Sequence, residues 1–274
     1  MKKLINCVPG WAARWTLGLL PFVLCLVLYL VASNARLAEN QHDKLLPSFS
    51  SIAGAIDRAA LTPDKRSGEY IFWQDTAASL WRLTLGVGIS ALSALIIGVL
   101  NGAIPYLRAP LSPFVTALSL VPPMAILPIL FIVFGLGELS KVMLIVIGIT
   151  PFLIRDIQQR VLEIPSEQLI KAQTLGASTW QIIVRVILPQ TMPRLLASVR
   201  LSLGAAWLFL IAAEAIAATE GLGYRIFLVR RYLSMDVILP YVVWITLLAF
   251  LLDWLLRKIS RLCYPWFHAQ TENA

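Results

Sequence analysis

A chain of 274 residues that is 58% hydrophobic and only 14% charged, with a mean hydropathy of +0.77, is not a soluble globular domain, in which roughly 25% of residues are charged. Long apolar runs with so few charges make it a polytopic membrane protein, and its spans must be helical because lipid leaves no water to satisfy free backbone groups. The formal net charge of +8 does not indicate a nucleic-acid partner, since the basic residues lie between apolar runs rather than on one soluble basic face.

The first apolar run, Trp15 to Ala32, follows Lys2 and Lys3. No small-residue cleavage pattern follows it, so it reads as a retained first span. The polar segment Asn34 to Ala78 comes next. Within it, Pro47 and then Ile52, Ala53, Ile56 and Ala60 predict one amphipathic helix docked at the outer face. Residues 1–78 thus form a tail, a first span and an external segment, and 79–274 form the transmembrane core. Further apolar runs at Leu80–Ile104, Phe114–Phe134, Val142–Ile154, Val199–Ala218 and Val237–Leu256 bring the expected count to about six helices in an all-α fold.

The third run contains Pro122, Pro123 and Pro128. Proline removes an N–H and frees carbonyls at membrane depth, which is tolerated where a helix lines a cavity or packs on protein. This span is therefore expected to line a translocation path, with Val121, Met124 and Leu127 shaping its gate.

Glu167 to Pro189 is too polar to cross a membrane and too patterned to be slack. It predicts two short amphipathic helices hinged at Gly176, where a missing Cβ permits the turn, with Ile182, Ile183, Val186 and Ile187 at helical spacing and Leu188-Pro189 as the close. Their apolar face needs cover from the bilayer surface or from a partner protein.

Glu214 lies deep in the fifth apolar run among small residues, and an ionisable group there is a functional candidate by default. It could touch a solute or gate the path. It could instead make an interhelical bond to Arg200 or Arg82. Arg225, Arg230 and Arg231 follow Gly221-Leu222-Gly223-Tyr224 in what reads as a short helix dipping at the outer face. They could steer an anion, dock a soluble binding protein or pair with lipid headgroups. Cys7, Cys25 and Cys263 have neither metal nor disulfide spacing, and His42 and His268 sit in loop or terminal positions. No catalytic constellation appears, so the chain is not expected to be an enzyme. It also lacks a phosphate-binding loop of the G-x-x-x-x-G-K-[ST] type, so an ATPase driving it would be another chain.

The stretch around Gly176 resembles the EAA loop of binding-protein-dependent ABC importer permeases, which runs Glu-Ala-Ala, three residues, Gly, nine residues, Ile-x-Leu-Pro. Here Gly176 is followed after nine residues by Val186-Ile187-Leu188-Pro189, while upstream Ile170-Lys171-Ala172 keeps only the final Ala. The chain is most similar to the taurine, aliphatic sulfonate and nitrate permeases. That similarity rests on Pro122-Pro123, Phe134-Gly135-Leu136-Gly137, and Ala213 to Thr219 followed by Gly221-Leu222-Gly223.

The resemblance implies a type I importer fold and alternating access for a small anionic solute. It implies two permease copies, ABC ATPase subunits that hold ATP and Mg, and a periplasmic solute-binding protein. It makes 155–195 a cytoplasmic coupling segment in which Lys171, Ala172, Leu175, Gly176, Ala177, Ser178, Leu188 and Pro189 meet the ATPase. The bacterial inner membrane, with both termini cytoplasmic, follows, and that orientation agrees with a modest excess of Lys and Arg inside. An anionic solute would be repelled by an ionised Glu214, which favours its interhelical role. The rival is a stand-alone secondary transporter, which would want inverted repeats and several midplane ionisable groups. The sequence offers Glu214 and no repeat.

Overall fold

The structure, a computed structural model, describes residues 10–40, 44–63 and 68–267. Lys2, Lys3, Cys7, His42 and His268 lie outside these residues. Helix α1 (Trp11–Glu39) precedes α2 (Phe49–Ile56), which runs into a π-helical turn at Asp57–Leu61. Then come α3 (Ile71–Ala103), α4 (Pro105–Ser119), α5 (Pro123–Phe134) and α6 (Glu138–Leu162). The short α7 (Ser166–Thr174) and α8 (Thr179–Ile182) are followed by a π turn at Ile183–Ile187, α9 (Leu188–Ala217), α10 (Leu222–Arg230) and α11 (Met235–Cys263).

The centre of the bundle is the seam between α3 and α6. On α3 the buried residues Gly86, Ser90, Ala94, Gly98 and Gly102 recur at every fourth position. On α6 the buried Ile145, Ile149, Leu153, Ile157 and Val161 do the same. A ridge of branched side chains thus lies in a groove of small ones, the packing that lets helices approach closely where lipid supplies no hydrophobic force between them. Gly98 shows how close the approach is: a Cβ there would lie 2.9 Å from Ile157 Cβ and 3.0 Å from the Ile154 carbonyl oxygen. Gly86 meets Ile145 and Gly102 meets Val161, so the two helices run parallel. Helix α9 is antiparallel to both: Ser79 of α3 bonds Glu214, and Asp156 of α6 bonds Ser198. Helix α11 runs antiparallel to α9 beside it, through Arg200 and Asp253.

Among the described residues, four stretches are long and apolar enough to cross a membrane: α1, α3, Thr179–Ala217 and α11. The pair α4 and α5 makes a fifth if it is one span broken by a 96° bend. The expected count of six is not reached in that tally, which leaves out α6. That helix is 25 residues long, about 37 Å at 1.5 Å per residue, and is enclosed by its neighbours along the ridge above.

Three local expectations change. The run Phe114–Phe134 is not a kinked helix but two helices, since Pro122 is extended (φ −65°, ψ 116°). The helical region is disfavoured for a residue before proline, and Pro122, itself followed by Pro123, takes the extended conformation that ends α4 and lets Pro123 open α5. Pro128 sits inside α5 without breaking it. Leu188-Pro189 does not close the amphipathic segment; the helical path continues from Thr179 to Ala217, with the missing N–H of Pro189 accommodated just after the π turn at Ile183–Ile187, where the Leu188 N–H donates to the Ile183 carbonyl. The expected helix in the polar segment is present as α2, with Ser48 as N-cap accepting the Ser51 N–H at 3.2 Å. Its buried residues are Ala55 and, in the π turn, Ala60, while Ala53 and Ile56 face outward.

The seam makes a test. Gly88 lies on α3 as well, but a Cβ there would meet nothing within 4 Å. Gly98→Ala is expected to cost about 1–3 kcal/mol through overpacking, while Gly88→Ala is neutral or slightly stabilising. Thermal unfolding of the detergent-solubilised protein measures both, and equal shifts would contradict the packing described.

Candidate coupling loop and buried ion-pair network

At the end of the bundle where α6 stops and α9 begins, α7 and α8 form a compact hairpin. Helix α7 ends in a Schellman arrangement: the Ala177 N–H donates to the Ala172 carbonyl at 3.0 Å and the Gly176 N–H to the Gln173 carbonyl at 2.9 Å. This requires the left-handed backbone that Gly176 adopts (φ +80°). No atom lies within 4 Å of a Cβ built there, so the glycine serves the turn and not a close approach within the chain. Ser178 then caps α8 in a reciprocal box: its hydroxyl accepts the Gln181 N–H, and its own N–H donates to Gln181 Oε1 at 2.8 Å.

The hairpin divides its residues cleanly. Ala172 and Ala177 pack inward with Leu169 and Val186, and Leu188 is half-buried. Lys171, Ser178 and Pro189 are exposed. Leu175 is 88% exposed, Trp180 68% and Ile170 56%. Ile170 and Trp180 are absent from the sequence-derived set. The signal for them was present, since both are large apolar residues in the short polar stretch on either side of the predicted hinge at Gly176.

The opposite end is closed by charge. Arg82 and Glu214, 1% and 0% exposed, are paired at 2.8 Å between Nη1 and Oε1. Arg82 also donates through Nη2 to Glu138 at 2.9 Å and through Nη1 to the Glu220 carbonyl at 2.9 Å. The Ser79 hydroxyl lies 2.8 and 2.9 Å from the two Glu214 oxygens. The turn into α10 supplies the remaining donors: Gly221 N–H to Asp75 at 2.8 Å, Leu222 N–H to Ser79 Oγ at 2.9 Å, and Gly223 N–H to Glu214 at 2.9 Å. These are the N–H groups a helix start leaves without partners, and carboxylates suit them in charge as well as geometry. Asp75 in turn accepts from Arg225 Nε at 2.8 Å and from the Tyr241 hydroxyl at 3.3 Å.

Of the two partners the sequence offered Glu214, the structure uses Arg82; Arg200 is paired with Asp253 at 2.7 Å. Arg225 is held by Asp75. Burial disfavours its charge, but the Asp75 carboxylate outweighs this and its pKa is raised. Arg230 and Arg231 are exposed beside Tyr224 and Phe227, with the Arg230 guanidinium 5.1 Å from the Phe227 ring. On the broken span, Val121, Pro122 and Met124 are exposed and Pro123 is half-buried, while Leu127 is 3% exposed and belongs to the core. Leu127 therefore does not share the open face of Val121 and Met124. Among the described residues no group of His, Cys, Asp or Glu is arranged to hold a metal ion.

Membrane-length helices, a sealed interhelical network and an exposed apolar hairpin at one end define a polytopic permease. The chain belongs to the family of binding-protein-dependent transport system inner membrane components, whose pattern matches residues 86–262, and so is an ABC transporter permease subunit. It is 38% identical over 194 residues to the taurine transport system permease protein TauC of Escherichia coli (strain K12), covering 71% of this chain and 70% of that protein. Identity to the putative aliphatic sulfonates transport permease protein SsuC of the same organism is 29% over 260 residues, 92% and 94% of the two chains. With the bicarbonate transport system permease protein CmpB of Synechococcus elongatus it is 33% over 199 residues, 70% of each. Among solved structures, an inward-facing MetNI methionine ABC transporter aligns with a TM-score of 0.62 and 20% identity over 72% of this chain and 98% of that one, a likeness of fold.

Removing one member of a buried pair strands the other. Arg82→Gln leaves Glu214 facing Ser79 and the Gly223 N–H with no cation, and is expected to lose about 3–5 kcal/mol. Arg160→Gln, which removes a half-exposed cation paired with Asp156 and Glu163, is expected to lose under about 1 kcal/mol. Thermal melts of the two variants measure the difference.

Proposed function

We propose that this chain is the membrane-spanning subunit of an ATP-driven importer that moves a small anionic solute of the taurine, sulfonate or nitrate type inward by alternating access. It works as a homodimer in the bacterial inner membrane, with both termini cytoplasmic. ABC ATPase subunits carry ATP and Mg, and a periplasmic binding protein delivers the solute. The observation that carries this reading is the hairpin: Ile170, Leu175 and Trp180 stand exposed on a capped, well-formed pair of helices, in a chain whose family works with partner proteins. An apolar edge on a rigid helical element suits a groove on another protein, and the ATPase is the partner whose motion must reach the membrane. Lys171 and the surfaces of Ser178 and Pro189 border that edge.

Exposed apolar residues at the break before α5 and along it, Val121 in the break and Met124, Ile132 and Val133 on the helix, suit a second copy facing the first across the path. The apolar face of α1 suits lipid. Arg230 and Arg231, at the end away from the hairpin, suit the acidic rim of a delivering protein. The solute class follows from the named relatives, whose cargoes are taurine, aliphatic sulfonates and bicarbonate.

The test uses the complex purified from membranes. An ATPase with a phosphate loop is expected to co-purify. Trp180→Ala, which removes an exposed side chain, is expected to weaken association by roughly thirtyfold, the scale of about 2 kcal/mol for an aromatic anchor. Gly176→Asp is expected to do the same, since Asp tolerates the left-handed backbone better than most residues and its charge enters the apolar edge. Pull-down and ATP hydrolysis in proteoliposomes read both. Full association by both variants, or no ATPase at all, would refute the coupling role.

A further inference from the structure

Between α4 and the hairpin-side half of α6 lies a cavity of about 520 Å³ lined by Ser112, Thr116, Ser119, Arg155, Gln158 and Gln159. Its volume is in the range of about 300–1,000 Å³ usual for small-molecule sites. Phe152 and the carboxylate of Asp156 complete the lining. The Arg155 guanidinium is exposed and donates one hydrogen bond, to Ser119 Oγ at 2.8 Å. Among the described residues it has no carboxylate within the 4 Å of an ion pair. Asp156, also on the wall, is occupied by Arg160 at 3.5 Å and by the Ser198 hydroxyl. Gln158 is held from behind by Asn101 at 2.7 Å and reaches Ser112 Oγ at 3.3 Å. This leaves the remaining guanidinium N–H groups and the Ser112 and Thr116 hydroxyls turned to the cavity as donors, with the positive charge unmatched.

Such a surface cannot face hydrocarbon, where a guanidinium and several hydroxyls would lose their water without replacement. A planar, forked cation beside hydroxyl donors matches a group with three terminal oxygens and one negative charge. We infer that this cavity is an oxyanion subsite, which takes the sulfonate or a similar head of the solute on the hairpin side of the permease. This rests on the importer reading above. The position supports it: Ser119 is the last residue of α4, so Arg155 ties α6 to the 96° break between α4 and α5. An anion taking Ser119's place on the guanidinium would release that tie.

The test uses the permease–ATPase complex in nanodiscs, with Cys7, Cys25 and Cys263 replaced by Ser and with Thr116→Cys as reporter, or Ser112→Cys should the first not assemble. The reporter is labelled with a sulfonate-bearing or a trimethylammonium-bearing methanethiosulfonate reagent, each rate normalised to free cysteine. A preference for the anionic reagent on the order of tenfold is expected, the scale of electrostatic focusing in a cleft. It should vanish in Arg155→Gln and survive in part in Arg155→Lys. Ethanesulfonate should slow labelling with Arg155 present and not in Arg155→Gln. A ratio that Arg155→Gln leaves unchanged overturns the subsite. So does protection by phosphatidylglycerol, with none by ethanesulfonate, which would make this a lipid-headgroup site. Co-purification of the ATPase is scored in the same preparations: its absence counts against the importer, while an unmoved ratio in an assembled complex counts against the subsite alone.

Discussion

The close parallel packing of α3 and α6 constrains almost everything else in this molecule. Lipid is as apolar as leucine, so two helices gain little from hiding greasy surface in each other and must win by contact and fit. The small residues at every fourth position of α3, against the branched ridge of α6, supply that fit. Two parallel neighbours cannot be joined by a tight turn, because the chain leaves one helix at the far end and must re-enter at the near end. The segment between Ala103 and Glu138 therefore has to travel back along the bundle, and α4 and α5 are that return. Its prolines place the break, and the Ser119–Arg155 bond stands beside that break.

The two ends of the bundle are built on opposite principles. At the α10 end the polar groups are turned inward and matched, with Arg82 shared between Glu138 and Glu214 and with the N–H groups of the α10 start pointing at Asp75, Ser79 and Glu214. At the other end apolar groups are turned outward and left uncovered. The helical stretch from Thr179 to Ala217 joins them in one run of 39 residues, on the order of 58 Å at 1.5 Å per residue. Trp180 is in its first turn and Glu214 in its last. A displacement of the hairpin would thus reach the ion-pair network along a single helical run, which holds Pro189, Pro193 and the π turn at Ile183–Ile187 near its hairpin end. An extra residue in that turn is a natural place for a helix to change direction.

Much of this was legible in the residues, and the part that was not has identifiable causes. The hinge at Gly176 could be read because a left-handed turn and a cap leave local marks, Gly and then Ser-x-x-Gln. The break at Pro122-Pro123 was half legible: proline announces a defect, but whether the chain bends or stops depends on what lies beside it. The partner of Glu214 was undecidable between Arg82 and Arg200, because both lie in apolar helices and only the antiparallel register of α3 and α9 brings Ser79 and Arg82 to its level. The seam on α3 was written openly as Gly86, Ser90, Ala94, Gly98 and Gly102. It was hidden by its surroundings, since small residues inside an apolar run look the same whether they face a helix or lipid. Arg225 read as a free cation because its counter-charge, Asp75, is remote in sequence.

Several charges within the helices follow one rule, from which Arg155 departs. Arg82 has Glu138 and Glu214, Asp75 has Arg225, Arg200 has Asp253, and Asp156 has Arg160. Each pairing offsets a desolvation cost that neither group could bear alone. Arg108 bonds the last carbonyls of α3 at Asn101 and Gly102, which is where the helix dipole places negative charge. Arg155 has a hydroxyl instead. Arg155 opens the polar run Arg155-Asp156-Ile157-Gln158-Gln159-Arg160 at the hairpin-side end of α6, and a guanidinium held by a hydroxyl alone needs water or an anion to complete its shell, so its position marks where the bundle admits solvent. The cavity at α4 is thus a consequence of the same economy that closes the α10 end: where a carboxylate is missing from the protein, the space for one is present.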